Sequence, residues 1–425
     1  GVGGRVAVVH RHVPAMGGEF ERDGAADAPR GAGDERHRTA AARGVCAADV
    51  GSELSCSHAS YNARVTTGEP DSLSARIGAR LRADGGWWPF DRFMAAALYE
   101  PGLGYYTRGA PVFGAMPASG SDFVTAPELS PLFGAAFARQ VAQALAAAGA
   151  HEVWEFGAGS GAFAAQLLAA LPPDTHYHVV DLSGTLRARQ AERLAPFAPR
   201  VSWHDTLPEA IEGVVVGNEV LDAMPVQLLH WDGERWHERG VAVDDGRFAW
   251  ADRPTGLRPP VDAGFLPGTT VELPRQASAF VATLAARLVR GAAFFADYGF
   301  PEREYYHPQR RGGTLMCHRA HRADTDPLVE VGEKDITAHV DFTAVALAGQ
   351  DAGLDVVGYT SQARFLANCG LLDLLEGADL KTIANAQKLI TEHEMGELFK
   401  VIGFARGLPG FVPLGFTAGD RTHTL

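Results

Sequence analysis

The sequence predicts an α/β protein built on a mostly parallel sheet. Three observations predict it. From His151 onward, short apolar runs alternate with helical runs. The first of them, HEVWEFGAGSG, ends in a glycine turn that opens directly into the helical run AFAAQLLAAL. Carboxylates recur where successive strands end, at Asp181, Asp205, Glu219 and Asp297. Open parallel sheets hold their ligands at that edge.

The elements follow in order. SLSARIGARLRADGG reads as a short helix and WWPFDRFMAAALYEP as a second. GLGYYTRGAPVFGAMPASGSDFVTAPE is loop-rich, with glycines, prolines and aromatics that suit a lid over a site. LSPLFGAAFARQVAQALAAAG is an amphipathic helix, with Leu129, Leu132, Phe133, Ala136, Phe137, Val141 and Leu145 at helical spacing. HYHVVDLS, RVSWHDT and GVVVGNE are the second, third and fourth strands, and TLRARQAERLAPF is the helix after the second. VQLLHWDGERWHERGVAVDDGRFAWADR alternates around two Asp-Gly turns, the pattern of an antiparallel meander. RQASAFVATLAARLVRG returns to helix, and AAFFADYG is a fifth, buried strand. Residues 301–340 read as an irregular insertion rich in Arg, His and Asp. DFTAVALAGQDAGL is helical, LDVVGYTS a strand, ANCGLLDLLEGADLKTIANAQKLITEHEM helical, and ELFKVIGFARGL a last strand that closes the sheet antiparallel.

Composition bounds the function. The chain has 425 residues, 46% hydrophobic and 21% charged, enough for a large core. A net charge of -13 disfavours non-specific nucleic-acid binding. Cys46, Cys56, Cys317 and Cys369 are scattered, so no disulfide framework or zinc knuckle is expected. No apolar run approaches the roughly 18 residues of a membrane span. Residues 1–70 mix both charge signs with Gly, Ala and Pro and read as a disordered extension. They lack the apolar centre of a signal peptide and are too acidic for a transit peptide. The folded part is expected over 71–425, with insertions near 226–265 and 301–340.

The chemistry sits at the strand ends. Glu155, Gly157, Gly159 and Gly161 form the turn, where glycines let backbone approach a nucleoside-bearing cofactor. The turn fits E-x-G-x-G-x-G and, with Ala162 in the last place, also the dinucleotide pattern G-x-G-x-x-G/A. Asp181, twenty residues beyond Gly161, can accept from both ribose hydroxyls, or can serve as a helix N-terminal acid. Asp205 can receive an adenine amino group or cap the following turn. After the fourth strand, Asn218, Glu219 and Asp222 are polar groups in an apolar setting. Two neighbouring carboxylates can clamp a guanidinium, or raise each other's pKa and supply a base. The alternative is that Asp222 caps a helix and Glu219 faces water. MCHRAHR offers no metal-ligand spacing and reads as a solvated or partner-binding loop; no metal site is expected. His339 reads as a core or rim histidine.

FMAAALYEPGLGYYTRG, SDFVTAPELSPLFG, WEFGAGSGAFA, LSGTLRARQ, GNEVLDAMPV, ADYGF, GTLMCHRAHRADTDPLVEVGEKDITAHVDFTA, GYTSQARFL and EMGELFKVIGFARG run in order over about residues 90–407. On these stretches the chain resembles the MidA-like family of class I methyltransferases, which includes the mitochondrial arginine methyltransferase of complex I assembly. The resemblance implies a Rossmann-like sheet with an N-terminal helical lid and an inserted substrate lobe. It implies S-adenosyl-L-methionine on Glu155, Gly157, Gly159, Gly161, Asp181 and Asp205, and a target loop carrying Asn218, Glu219 and Asp222. It also implies methylation of protein arginine, with a complex I-type core subunit as substrate and partner. Asp181 stands where the family more often has Glu, HRAHR lacks an expected tyrosine, and residues 1–70 have no counterpart. The sequence leaves the oligomeric state open, a homodimer included. High Ala, Gly and Arg with little Lys suit the cytoplasm of a GC-rich bacterium, or the mitochondrial matrix if the source is eukaryotic. Two other functions stay open on these residues: a catalytically silent assembly factor that keeps the cofactor site, and a dinucleotide-dependent oxidoreductase.

Overall fold

A computed structural model describes residues 72–108, 124–181, 184–262 and 264–425. The expected disordered extension over 1–70, with Cys46 and Cys56, lies outside the described residues, as does the middle of the loop-rich stretch at 109–123.

The described chain opens with α1 (Leu73–Ala83), capped by the Ser72 side chain, which accepts from Ala75 N at 3.2 Å. WWP does not begin a helix as expected. It forms the short strand β1 (Trp87–Pro89), and α2 (Phe90–Tyr99) starts after Pro89. Proline lacks an amide proton and holds the residue before it extended, and the later strand Trp236–Asp244 offers Trp87 and Trp88 a pairing edge. A short turn of helix, α3 (Ala126–Leu129), leads to α4 (Pro131–Ala148). Pro131 and the Ser130 side chain start α4, and Gly149 in the left-handed region ends it.

The main sheet then builds up. Its elements are β2 (Glu152–Phe156), α5 (Ala162–Ala170), β3 (His176–Val180), α6 (Gly184–Leu194), β4 (Val201–His204) and β5 (Ile211–Asn218). The meander β6 (Gln227–Trp231), β7 (Trp236–Asp244) and β8 (Arg247–Pro254) pairs antiparallel as its Asp-Gly turns predict. Asp245 and Gly246 both have positive φ, the signature of a tight hairpin turn. A strand not expected, β9 (Thr269–Leu273), joins β6. After α7 (Arg275–Arg287) the long β10 (Leu288–Phe300) enters the main sheet.

The 301–340 stretch is more ordered than its composition suggests. After the short α8 (Glu302–Tyr305), strands β11 (Met316–Arg319), β12 (Arg322–Asp324) and β13 (Asp335–Thr337) form a small antiparallel sheet. MCHRAHR is therefore a hairpin, not a loop. Ala320 and His321 take positive φ at its tip without the Gly or Asn that would have announced the turn. The chain ends through β14 (Val340–Asp341), α9 (Phe342–Asp351), β15 (Asp355–Ser361), α10 (Gln362–Asn368), α11 (Leu371–Leu374), α12 (Leu380–Ile390) and β16 (Phe399–Arg406). The run read as one long helical stretch is thus broken into α10, α11 and α12, with left-handed Gly370 and Gly377 at the breaks.

The main sheet has the order β15-β16-β10-β5-β2-β3-β4. Strands β10, β5, β2, β3 and β4 are mutually parallel, and β16 inserts antiparallel between β10 and β15. The order reverses at β2 and β5, which lie side by side, and a ligand crevice is expected there. Alternate side chains divide the core. Val214, Val216 and Phe294 pack with Phe133, Phe137 and Leu167 of α4 and α5. Val215 and Phe295 pack on the other face with Val281 and Val345 of α7 and α9. Among the described residues no helix is long and apolar enough to cross a membrane.

Candidate active site

A cavity of about 800 Å³ opens beyond the carboxyl ends of β2, β3, β4 and β5. Of the nine residues proposed from sequence, it is lined by Glu155, Gly157, Gly159, Asp181, Asp205, Asn218, Glu219 and Asp222. Gly161 does not line it. It sits behind the turn at φ 79°, packed so that a Cβ would lie 3.4 Å from the Gln190 backbone.

The turn is held from behind. Gly157 and Gly159 have φ of 61° and 52°, and a Cβ on Gly157 would press to 3.1 Å from Val220. Glu155 is buried and accepts from the Tyr177 hydroxyl at 2.9 Å. Burial pushes its pKa up to about 8, against the pull of that hydrogen bond. Ser160 donates to Glu128 of α3, and Arg193 of α6 bonds both Glu128 and Ser160 at 2.7 Å. These contacts fasten the α3 segment to the glycine turn.

Gln190 is a member of this site that sequence reading missed. It is fully buried on α6, donates to Asp181 Oδ2 at 2.7 Å and to Gly159 O at 3.0 Å, and accepts from Trp203 at 3.0 Å. One amide thus ties the turn to Asp181. Its only signal was its place in LSGTLRARQ, where it reads as an ordinary helical residue. Asp205 is mostly exposed, and its Oδ1 pairs with Arg187 at 2.5 Å. That guanidinium also donates to the carbonyls of Asp181 and His204.

The far half of the cavity is built by the loop after β5. Glu219 has φ 52°, a left-handed backbone that costs a non-glycine residue on the order of 1 kcal/mol. Asp297, at the end of β10, holds the loop in place. One oxygen of its buried carboxylate accepts from the amides of Val220, Leu221 and Asp222 at 3.1, 2.9 and 3.3 Å. Burial, then Asp222 and Glu219, raise the Asp297 pKa. Asn218 donates to Glu219 Oε1 at 2.9 Å. Burial and then Asp222 push Glu219 up to about 8, and burial pushes Asp222 up to about 6. Asp222 Oδ1 and Asn218 Oδ1 are buried with no partner, a costly state that a donor-bearing ligand would relieve.

Tyr99, Tyr106, Tyr298, His318, Asp335 and His339 complete this half. Tyr298 donates to Thr337 at 2.8 Å and packs edge-on against His339, ring centres 5.1 Å apart. His339 is therefore on the cavity wall, with Nδ1 buried and unpartnered, and burial pushes its pKa down to about 4. His318 lies on β11, opposite Asp335 of β13. Among the described residues no group of three or more His, Cys, Asp or Glu side chains could hold a metal ion.

The cavity wall carries Glu155, Asp181, Asp205, Glu219, Asp222 and Asp335 and, among the described residues, no lysine or arginine. Such a wall fits cationic ligands, and the sulfonium of S-adenosyl-L-methionine is one. The positive-φ glycines and the buried acid at Asp181 fit its nucleoside end.

Residues 136–360 match the model of a family described as "Putative S-adenosyl-L-methionine-dependent methyltransferase". A crystal structure of a Burkholderia thailandensis protein bound to S-adenosyl-homocysteine is 53% identical, with a TM-score of 0.79; the match covers 83% of this chain and 96% of that one. The mitochondrial protein arginine methyltransferase NDUFAF7 homolog of Drosophila melanogaster is 27% identical over 79% of this chain and 85% of its own length. The NDUFAF7 protein arginine methyltransferase of Danio rerio, also mitochondrial, is 26% identical over 81% of this chain and 88% of its own.

Proposed function

This chain belongs to the S-adenosyl-L-methionine-dependent methyltransferase family, and we propose that it methylates a guanidinium nitrogen of arginine in a protein substrate. Membership sets aside the dinucleotide-dependent reading that the glycine turn alone left open. One observation carries the choice of acceptor. The half of the cavity beyond the glycine turn holds Glu219 and Asp222 on one braced loop, with Asp222 Oδ1 buried and unpartnered. A guanidinium brings five donors, a positive charge and no acceptor.

We assign the cofactor to Gly157 and Gly159 at its backbone, with Gly161 turning the chain behind them, to Asp181 at the ribose, and to the Asp205 end at the base. Glu155 supports the turn. When bound, S-adenosyl-L-methionine supplies an electrophilic methyl group on a positively charged sulfur. Glu219 and Asp222 orient the guanidinium and draw its positive charge towards themselves, which leaves electron density on the attacking nitrogen. Asn218 fixes the Glu219 carboxylate through Oε1. The proton that the guanidinium gives up passes to that carboxylate, whose pKa of about 8 makes it a competent base near neutral pH.

We place the substrate among complex I-type core subunits and the enzyme in a bacterial cytoplasm. The resemblance of residues 90–407 to the MidA-like family supports the first, and the Arg-rich, Lys-poor composition supports the second. The test is incubation of the full chain with methyl-labelled S-adenosyl-L-methionine and a bacterial lysate, followed by identification of the labelled residue. Label on arginine of a protein is expected. Label on lysine, on a carboxyl group or on a small molecule would refute the acceptor.

A further inference from the structure

Asp335 is a buried carboxylate that the proposed reaction does not use. It is 2% exposed, opens β13, and lines the same cavity as Glu219 and Asp222. Its Oδ1 accepts from the Ile336 amide at 2.9 Å and from the Tyr106 hydroxyl at 2.8 Å. Tyr106 stacks on Tyr99, ring centres 5.6 Å apart and planes 21° apart. The Tyr99 hydroxyl donates at 2.9 Å to the carbonyl of Ala223, the residue after Asp222. A chain of contacts thus runs from the target loop, through two tyrosines of the N-terminal segment, to Asp335. The Asp335 charge also contributes to holding the pKa values of Glu219 and Tyr298 up, so these groups share one field.

We propose that Asp335 is the second jaw of the acceptor site: with Glu219 and Asp222 it selects a delocalised, many-donor cation, and the Tyr99–Tyr106 pair sets the spacing between the jaws. This rests on the guanidinium reading above. Three carboxylates lining one cavity, with no lysine or arginine among its described lining residues, repel one another until a cation enters. Asp222, 5% exposed with Oδ1 unpartnered, independently marks the place a donor must occupy. A planar guanidinium can donate from two edges at once and so meet carboxylates on two sides. An ammonium is a point charge at the end of a flexible stem and meets one side well. Burial makes each contact more valuable than it would be in water, because an unmatched carboxylate there is costly.

The competing explanation is that Asp335 only anchors Tyr106. The experiment separates the two. The full chain, saturated with S-adenosyl-homocysteine, is titrated with N-acetyl-arginine amide and N-acetyl-lysine amide by ligand-observed NMR. The parental chain should prefer the arginine amide. Asp335→Asn keeps an oxygen for Ile336 and Tyr106 but removes the charge, and should weaken arginine-amide binding about ten- to a hundred-fold. Tyr106→Phe removes the anchor alone and should cost clearly less. S-adenosyl-homocysteine affinity should stay at the parental value in both. If Tyr106→Phe reproduces the Asp335→Asn loss, or if Asp335→Asn binds the arginine amide as the parental chain does, the proposal is overturned while the guanidinium reading stands. If the parental chain shows no preference for arginine and Glu219→Gln changes nothing, the guanidinium reading itself has failed and takes the proposal with it. A further measurement needs no variant: N-acetyl-citrulline amide, similar in shape and uncharged, should bind at least about ten-fold more weakly than the arginine amide, and equal binding would overturn the proposal.

Discussion

Glu219→Gln should make the protein a slower enzyme and a more stable one. The substitution keeps size and the Asn218 contact but removes the charge. On the activity side, a guanidinium deprived of the Glu219 carboxylate loses a charge-assisted hydrogen bond worth about 1.5–3 kcal/mol. Transfer should slow by about one to two orders of magnitude in kcat/KM for the acceptor. Affinity for S-adenosyl-homocysteine should hold, because the residue belongs to the acceptor half. On the stability side, the folded-state pKa of Glu219 is raised to about 8 from an ordinary 4.5. An acid raised on folding destabilises the native state above its unfolded pKa and not below it. The penalty therefore grows from about pH 4.5 to pH 8 and is absent at pH 4. At about 1.4 kcal/mol per pH unit, and discounted for partial solvent access, it is on the order of 1–3 kcal/mol. Glu219→Gln should melt higher than the parental chain at pH 8 and at the same temperature at pH 4. Glu219→Gly is the control for backbone strain, since φ 52° suits glycine at either pH. The assays are methyl transfer to an arginine-bearing protein, calorimetry with S-adenosyl-homocysteine, and melting at both pH values. Full transfer activity in both Glu219→Gln and Asp222→Asn would refute the clamp. A melting gain that persists at pH 4 would refute the electrostatic argument.

Gly159→Val puts a branched side chain at φ 52° on the cavity wall and should abolish S-adenosyl-homocysteine binding in a chain that still folds; calorimetry reads this, and unchanged affinity would contradict the cofactor assignment. Gln190→Leu removes the amide that ties Asp181 to Gly159 and should weaken cofactor binding about ten-fold, as should Asp181→Asn, with the double variant costing less than the sum of the two. Asp297→Ala leaves three amides of the target loop without their acceptor and should lower both the melting temperature and the transfer rate, by about 3 kcal/mol in stability, measured by denaturant unfolding. A chain beginning at Ser72, the cap of α1, should melt cooperatively and bind the cofactor with parental affinity; loss of cooperative melting would show that the preceding residues support the core.

The strands were legible because each is a short, doubly buried apolar run ended by a glycine or an acid. GVVVGNE and AAFFADYG could be little else once HEVWEFGAGSG had set the parallel pattern. The same local logic marked the glycine turn, Asp181 and the Glu219–Asp222 loop, because ligand residues of such a sheet sit at strand ends that can be counted along the chain. The meander was legible from its two Asp-Gly turns. What the sequence could not decide was everything set by partners distant in the chain. The two tryptophans before α2 became a strand because β7, about 150 residues later, offered an edge. The MCHRAHR hairpin formed on β13, with non-glycine residues at its turn that carry no local signal. Gln190 and Asp335 have ordinary sequence surroundings, and Asp297, marked as a strand-end acid, gave no local sign that it braces the target loop. Each became part of the site because the folded chain buried a polar group and a second segment supplied its partner: Gly159 and Asp181 for Gln190, the 220–222 amides for Asp297, and Tyr106 for Asp335. Local pattern names the residues that can touch a ligand; only tertiary burial, which makes an unmatched charge costly, decides which of them are held, how far their pKa values move, and what kind of acceptor can satisfy them.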